Sequence, residues 1–174
     1  MNLNIIHLPH RVDRLKTLNK ELAEQQITDY KIWDGIIDPD LPCKGISKAH
    51  KQIIIFAKKE TLSEILIAED DIHFTSSGAF KYFLSMKPTS YDIYLGGIIW
   101  GKIKEDNSVD DFSGNTLYMV NESFYDVLLS TPENEDFDRA IAYKGIGYCR
   151  FASSTRNLER LWRNCPCFYW HLHD

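Results

Sequence analysis

The sequence has no hydrophobic run long enough to cross a bilayer. Its longest strongly apolar stretch, Ile53-Ile54-Ile55-Phe56-Ala57, falls far short of the ~20 residues a spanning helix needs. It has no excess of positive charge either. Twenty Lys and Arg stand against 25 Asp and Glu, a formal charge of −5. That balance argues against broad nucleic-acid binding, which needs a basic surface to displace counterions from phosphates. Cysteine is scarce: Cys43, Cys149, Cys165 and Cys167 are the four in 174 residues. A chain of this length with 44% hydrophobic residues can build a core without staples, so reduced thiols are expected. No internal repeat or low-complexity stretch is visible. His7, Pro9, His10 and Arg11 break the N-terminal apolar stretch before any cleavage site, so no signal peptide is expected and cytoplasmic residence is the default.

What is present is alternation of strand and helix patterns. Leu3 to Leu8 reads as a buried strand, followed by a helix carrying Val12, Leu15, Leu18, Leu22 and Ala23 at helical spacing. Tyr30–Trp33 reads as a second strand, and Ser47–Lys59 as a helix with Ala49, Ile53, Phe56 and Ala57 on its apolar face. Ile65–Ala68 is a continuous apolar run, the pattern of a strand covered on both faces. A helix near Gly78–Ser85 and a strand at Tyr91–Leu95 follow. Ile98–Ile103 and Thr116–Val120 are predicted to pair, with the polar stretch Glu105 to Gly114 as an exposed loop between them. Helices at Glu122–Ser130 and Phe137–Tyr143 and strands near Tyr148–Phe151 and Phe168–Leu172 complete the pattern. The order predicts a single α/β domain over residues 1–174 with a mainly parallel sheet, a class whose ligands bind at the carboxyl ends of the strands.

Glu69-Asp70-Asp71 stands where the Ile65–Ala68 run leaves the sheet. Three adjacent carboxylates repel one another, and a divalent cation offsets that cost, since Mg²⁺ and Mn²⁺ prefer hard oxygen ligands and also bridge phosphates. The plainer reading is that one carboxylate caps the next helix and the others are solvated. Asp71-Ile72-His73-Phe74-Thr75 is also similar to the Asp-x-Asp-x-Thr loop of haloacid-dehalogenase-type phosphatases, with His73 in place of the second Asp.

In its context the triplet resembles glycosyltransferase family 25, the lipopolysaccharide-biosynthesis and collagen-galactosyltransferase-like group. Four segments carry the resemblance, between residue 4 and about residue 140. Asn4-Ile5-Ile6-His7-Leu8 with Arg11, Asp13 and Arg14 is similar to an opening Ile-Asn-Leu strand and its Asp-Arg turn. Gly45-Ile46-Ser47-Lys48-Ala49-His50 resembles a Gly-Cys-x-x-Ser-His helix start, with Ile46 and Ala49 in place of Cys and Ser. Ile67-Ala68-Glu69-Asp70-Asp71-Ile72 resembles a Leu-Glu-Asp-Asp-Val strand end. Gly114-Asn115-Thr116-Leu117-Tyr118-Met119-Val120 resembles a later Gly-x-x-Ala-Tyr-Leu-Ile strand.

The resemblance implies a GT-A-like, nucleotide-sugar-binding, Rossmann-type three-layer domain that inverts at the anomeric carbon. Its donor would be a UDP-sugar and its acceptor a lipopolysaccharide-like surface glycan or glycolipid. A departing sugar diphosphate is a polyanion, so a divalent cation (Mn²⁺ or Mg²⁺) held by Asp71 and Glu69 suits the chemistry as a Lewis acid. Arg11, Arg14, His50 and Asp70 are the donor-binding candidates. Arg11 and Arg14 can equally be solvated first-turn residues, and His50 a hydrogen-bonded structural histidine. The altered helix start leaves open a degenerate module that binds a nucleotide sugar without turning it over. A metal-dependent phosphatase centred on Asp71 is the other alternative.

An inverting transfer needs a general base, usually a carboxylate. Glu133, Glu135, Asp136 and Asp138 cluster before a predicted helix, and Asp138 matches a family Asp best. The competing reading is that these acids favour a helix N-terminus for its dipole. In the C-terminal segment, Cys165, Cys167, Tyr169, His171 and His173 fall on one face of a strand. Neighbours on one strand face cannot surround zinc tetrahedrally. The resemblance to GT-A enzymes implies instead that His171 or His173 joins Asp71 on the cation. Arg150, Arg156, Arg160 and Arg163 form a basic stripe suited to a phosphorylated acceptor or to peripheral contact with anionic lipid at the inner membrane face, or simply to solvent.

Overall fold

The apolar runs become the centre of one eight-stranded sheet. The computed structural model describes residues 2–142, 144 and 147–149. The chain runs β1 (Leu3–His7), α1 (Val12–Glu24), β2 (Tyr30–Asp34), α2 (Pro42–Lys59), β3 (Glu64–Glu69), α3 (Ala79–Ser85), β4 (Ile93–Leu95), β5 (Trp100–Ile103), β6 (Ser108–Ser113), β7 (Leu117–Asn121), α4 (Tyr125–Leu129), α5 (Phe137–Ile141) and β8 (Gly147–Cys149). The spatial order is β2-β1-β3-β7-β4-β8-β6-β5. β1 pairs in parallel with β2 and β3, and β4 with β8. β7 runs against β3 and β4, and β6 against β5 and β8. Six strands thus share one direction, and β7 and β6 are reversed, so the sheet is mixed rather than mainly parallel, with three parallel and four antiparallel pairings among the described residues.

Strand pleating sends alternate residues to opposite faces, and the two faces carry separate cores. Ile65 and Ile67 of β3 pack with Ile53, Ile54 and Ala57 of α2 and with Leu128 of α4. Leu66 and Ala68 pack with Leu18 and Leu22 of α1 and Phe83 of α3. The result is three layers, with α2, α4 and α5 on one side and α1 and α3 on the other. Among the described residues no helix is long and apolar enough to cross a membrane.

Two expectations are corrected. Glu105 to Gly114 is not an exposed loop: it contains β6, whose Val109 and Phe112 are both buried. The ladder skips Asp110, because Lys102 faces Asp111 while Ile103 faces Val109. This bulge spaces the two buried side chains by three residues and hides the period of two. Thr116–Val120 likewise does not pair with β5; β7 enters the sheet between β3 and β4 instead. α2 also begins five residues before the predicted Ser47. Asp38 Oδ1 accepts the Leu41 amide at 3.1 Å, and Pro42 takes the first helical turn, where its missing N–H costs nothing. Gly45 is required there, since a Cβ would overlap the Ile36 carbonyl oxygen. Cys43 is a free thiol.

Candidate functional site

The pleat that divides the core also divides the acidic triplet. Glu69 ends β3 on the α2 face, and Asp70, one residue on, turns to the α1 face. Asp70 is buried between His7 and Arg14. Its Oδ2 lies 2.8 Å from His7 Nδ1 at the end of β1, and its Oδ1 accepts a 2.8 Å hydrogen bond from Arg14 Nη1 on α1. Glu69 Oε1 lies 3.3 Å from Nε2 of His50, which α2 brings from the opposite side. The ring of His50 stacks on Phe137 of α5 at 4.4 Å, and its Nδ1 lies 2.6 Å from the Tyr118 hydroxyl on β7. Burial, reinforced by Glu69, pushes the Tyr118 hydroxyl well above the ordinary tyrosine range.

Asp71 is the least compensated member. Its Oδ2 lies 3.2 Å from Arg14 Nη1, while its Oδ1 is buried without a hydrogen-bond partner. Burial, then the neighbouring Glu69, pushes its carboxyl up to about 6, with Arg14 pulling the other way. The side chain as a whole is 40% exposed, through atoms other than the buried Oδ1. A shallow cleft opens beside it, lined by Ile72, His73, Phe74, Gly96, Gly97 and Thr116.

Arg11 and Arg14 part company. Arg14 is committed to Asp70 and Asp71. Arg11 sits at the rim, where Asp13 accepts its two hydrogen bonds at 2.9 and 2.7 Å. Those bonds hold the Asp13 carboxyl down at about 2. Asp138 comes to the same sheet edge by a different route. β7 is antiparallel to β3, so its entry, Gly114 to Thr116, lies at the exit of β3, and the Glu69 amide donates to the Thr116 carbonyl at 3.0 Å. Asp138 Oδ2 accepts from the Ser113 hydroxyl at 2.8 Å and from the Gly114 amide, and its Oδ1 accepts the Arg139 amide at 2.8 Å. Gly114 adopts φ +81° at this corner, and a Cβ there would overlap the Ile99 side chain.

Glu69, Asp70, Asp71, Arg14, His50 and Asp138 are therefore gathered at one end of the sheet. His50 is 1% exposed and stands behind Glu69. Among the described residues no group of three or more His, Cys, Asp or Glu side chains is placed to hold a metal ion. His171 and His173, together with Cys165, Cys167 and the arginine stripe, lie outside the described residues. Three participants went unnoticed in the sequence as site residues: His7, Tyr118 and Phe137. The first two fall within segments of the family resemblance, but only the pairing of β1, β3 and β7 gives them their partners.

No protein-family model matches this sequence, and no curated protein does. Among solved structures, the chain is similar to HddC from Yersinia pseudotuberculosis, with a TM-score of 0.50 and 11% identity over 86% of this chain and 89% of that one. A second similar structure is a glycosyltransferase involved in the glycosylation of the major capsid of PBCV-1. It gives a TM-score of 0.46 and 12% identity over 74% of this chain and 63% of that one. At such identities the likeness to HddC is one of fold, an α/β sandwich built on a mixed sheet.

Proposed function

We propose that the protein is a glycosyltransferase that takes its sugar from a nucleotide-sugar donor, of the UDP-sugar type, and passes it to a surface-glycan or glycolipid acceptor. The observation that carries this reading is the orphaned Asp71 Oδ1 at the carboxyl end of a central strand. A buried carboxylate oxygen without a donor is costly, and a bound cation relieves that cost. The family resemblance of the four segments supplies the substrate class.

Asp71 and Glu69 are the residues that would hold a divalent cation. Two carboxylates are few for an octahedral shell, and such ions commonly complete it with phosphate oxygens and water. When bound, the cation supplies positive charge to the diphosphate that leaves. Asp70 is 4% exposed and held between His7 and Arg14, so its part is to anchor the strand end rather than to meet the donor. Arg14 offsets part of the charge of Asp70 and Asp71 in the absence of ligand. Arg11, at the rim, is the arginine available to the nucleotide if Asp13 releases it. Asp138 is the candidate base: its carboxylate has about four lone-pair sites, and three protein donors leave one for an acceptor hydroxyl. His171 is proposed as a further ligand from the C-terminal segment.

The test is titration of UDP with and without Mn²⁺ by calorimetry, followed by UDP-sugar turnover with and without an acceptor pool. Binding that requires Mn²⁺ and turnover that requires the acceptor are expected. Asp71→Asn should reduce Mn²⁺-dependent UDP affinity at least about tenfold, since it removes the principal charged ligand, without lowering the melting temperature. Equal affinity in the variant would refute the assignment of Asp71. Release of inorganic phosphate without acceptor would favour the phosphatase alternative, and binding without any turnover the degenerate module.

A further inference from the structure

His50 carries the family-like helix motif, yet it is enclosed by Phe137, Tyr118 and Glu69, so no donor can touch it without displacing one of them. Both ring nitrogens face a defined neighbour. On the Nδ1 side is the Tyr118 hydroxyl at 2.6 Å, and on the Nε2 side the Glu69 carboxylate at 3.3 Å. We propose that Tyr118 and His50 form a positioning relay that sets the direction of the Glu69 carboxylate, with Nδ1 of His50 the acceptor toward Tyr118 and its N–H on the Nε2 side, toward Glu69.

The tautomer follows from the partners. The Tyr118 hydroxyl has one proton to donate, and His50 Nδ1 is the acceptor beside it. If Nδ1 carried the ring's one proton, the Nε2 lone pair would face a carboxylate, two acceptors against each other, and the buried tyrosine proton would lose its acceptor. With the proton on Nε2, the Tyr118 O–H meets Nδ1, and the Nε2–H faces the Glu69 carboxylate at 3.3 Å, a charge contact rather than an aligned hydrogen bond. The Tyr118–His50 joint is enclosed on all sides. Tyr118 is fully buried in β7, directly across the ladder from Ile67, and Phe137 stacks on the imidazole at an interplanar angle of 6°. His7 does the corresponding work on the other face, where it meets Asp70. Asp71 has no histidine behind it: Arg14 meets one of its oxygens and the other is unpaired.

Such outer partners orient a ligating carboxylate, and losing one typically weakens metal binding about 10–100-fold. This consequence rests on the proposed function; the tautomer does not. The first measurement is therefore long-range ¹H–¹⁵N correlation NMR of the full chain near neutral pH. The expected pattern is Nε2–H for His50, with the Nδ1 resonance shifting in Tyr118→Phe as its hydrogen bond is lost. An Nδ1–H tautomer, a doubly protonated ring, or a spectrum of His50 unchanged by Tyr118→Phe would overturn the relay. The second measurement is calorimetric titration of Mn²⁺ in the presence of UDP. Tyr118→Phe, which removes one oxygen from the core, is expected to weaken Mn²⁺ binding about tenfold. His50→Gln, which keeps an N–H donor, should retain more affinity than His50→Leu. Equal Mn²⁺ affinity in wild type and Tyr118→Phe would overturn the positioning role. Absence of Mn²⁺ and UDP binding in the wild type would instead overturn the proposed function, and the NMR result alone would then decide the relay.

Discussion

The two halves of the sheet are assembled by different rules, and the site lies on the seam between them. In the β2-β1-β3 half the strands are parallel, joined through α1 and α2, and each ends at the same edge. In the β7-β4-β8-β6-β5 half, two reversed strands bring segments together that are far apart in sequence. The first half supplies the charge: Arg14, Glu69, Asp70 and Asp71. The second half supplies most of what aims or adjoins it: Tyr118, Phe137, Asp138 and the Gly114 corner. Charge at a strand end comes from local sequence, whereas the direction in which a side chain is held is decided by pairing across the sheet.

The largest expected effect tests whether the second half contributes chemistry or only a tether. Asp138→Asn keeps a carbonyl oxygen for the Gly114 amide but loses the base, so sugar transfer should fall about 10²–10⁴-fold with donor affinity unchanged. Steady-state kinetics beside a melting curve separates the two roles, because a tether alone would leave kcat intact. Next comes the packing of the reversed strands. Phe112→Ala in β6 should cost about 3–5 kcal/mol in denaturant unfolding, as expected for a phenylalanine that is 2% exposed. A cost under about 1 kcal/mol would mean that β6 is peripheral to the core.

In the first half, Asp70→Asn breaks the buried contacts with His7 and Arg14 and should destabilise by about 3 kcal/mol. The opposite outcome, a stable variant with weakened UDP binding, would move Asp70 from anchor to donor contact. The smallest effect belongs to Glu64 at the start of β3. Against the upward push of its burial, hydrogen bonds from Lys87 and Tyr91 hold its carboxyl below the ordinary range. A depressed carboxyl stabilises the fold above its unfolded value and loses that contribution as pH falls through the folded one. Glu64→Gln should therefore flatten the acid side of the stability profile, by up to about 1 kcal/mol, and leave the neutral plateau nearly in place. An unchanged slope below pH 5 would show that this cluster carries no weight (about pH 5 being the upper edge of carboxylate titration).

The local pattern of residues determined a good deal about this protein. The apolar runs Leu3–His7 and Ile65–Ala68 mark central strands because a strand covered on both faces must be apolar throughout. The periodicity of α1 and the placement of the acidic triplet at a strand exit are equally local facts. Gly45 was legible as part of a motif, though its reason, the Ile36 carbonyl pressed against it, was not. Tertiary structure alone decided that β6 is a strand, since the bulge at Asp110 breaks the alternation that would reveal it. It alone placed β7 between β3 and β4, and so put Tyr118 on His50 and Asp138 at the exit of β3. It also decided the fates of three adjacent carboxylates that are nearly identical in sequence. The pleat turns Glu69 to His50 and Asp70 to His7 and Arg14, and leaves one oxygen of Asp71 unpaired. A run of like charges sets how much compensation is needed, but which charge receives it depends on the elements that pack against each face.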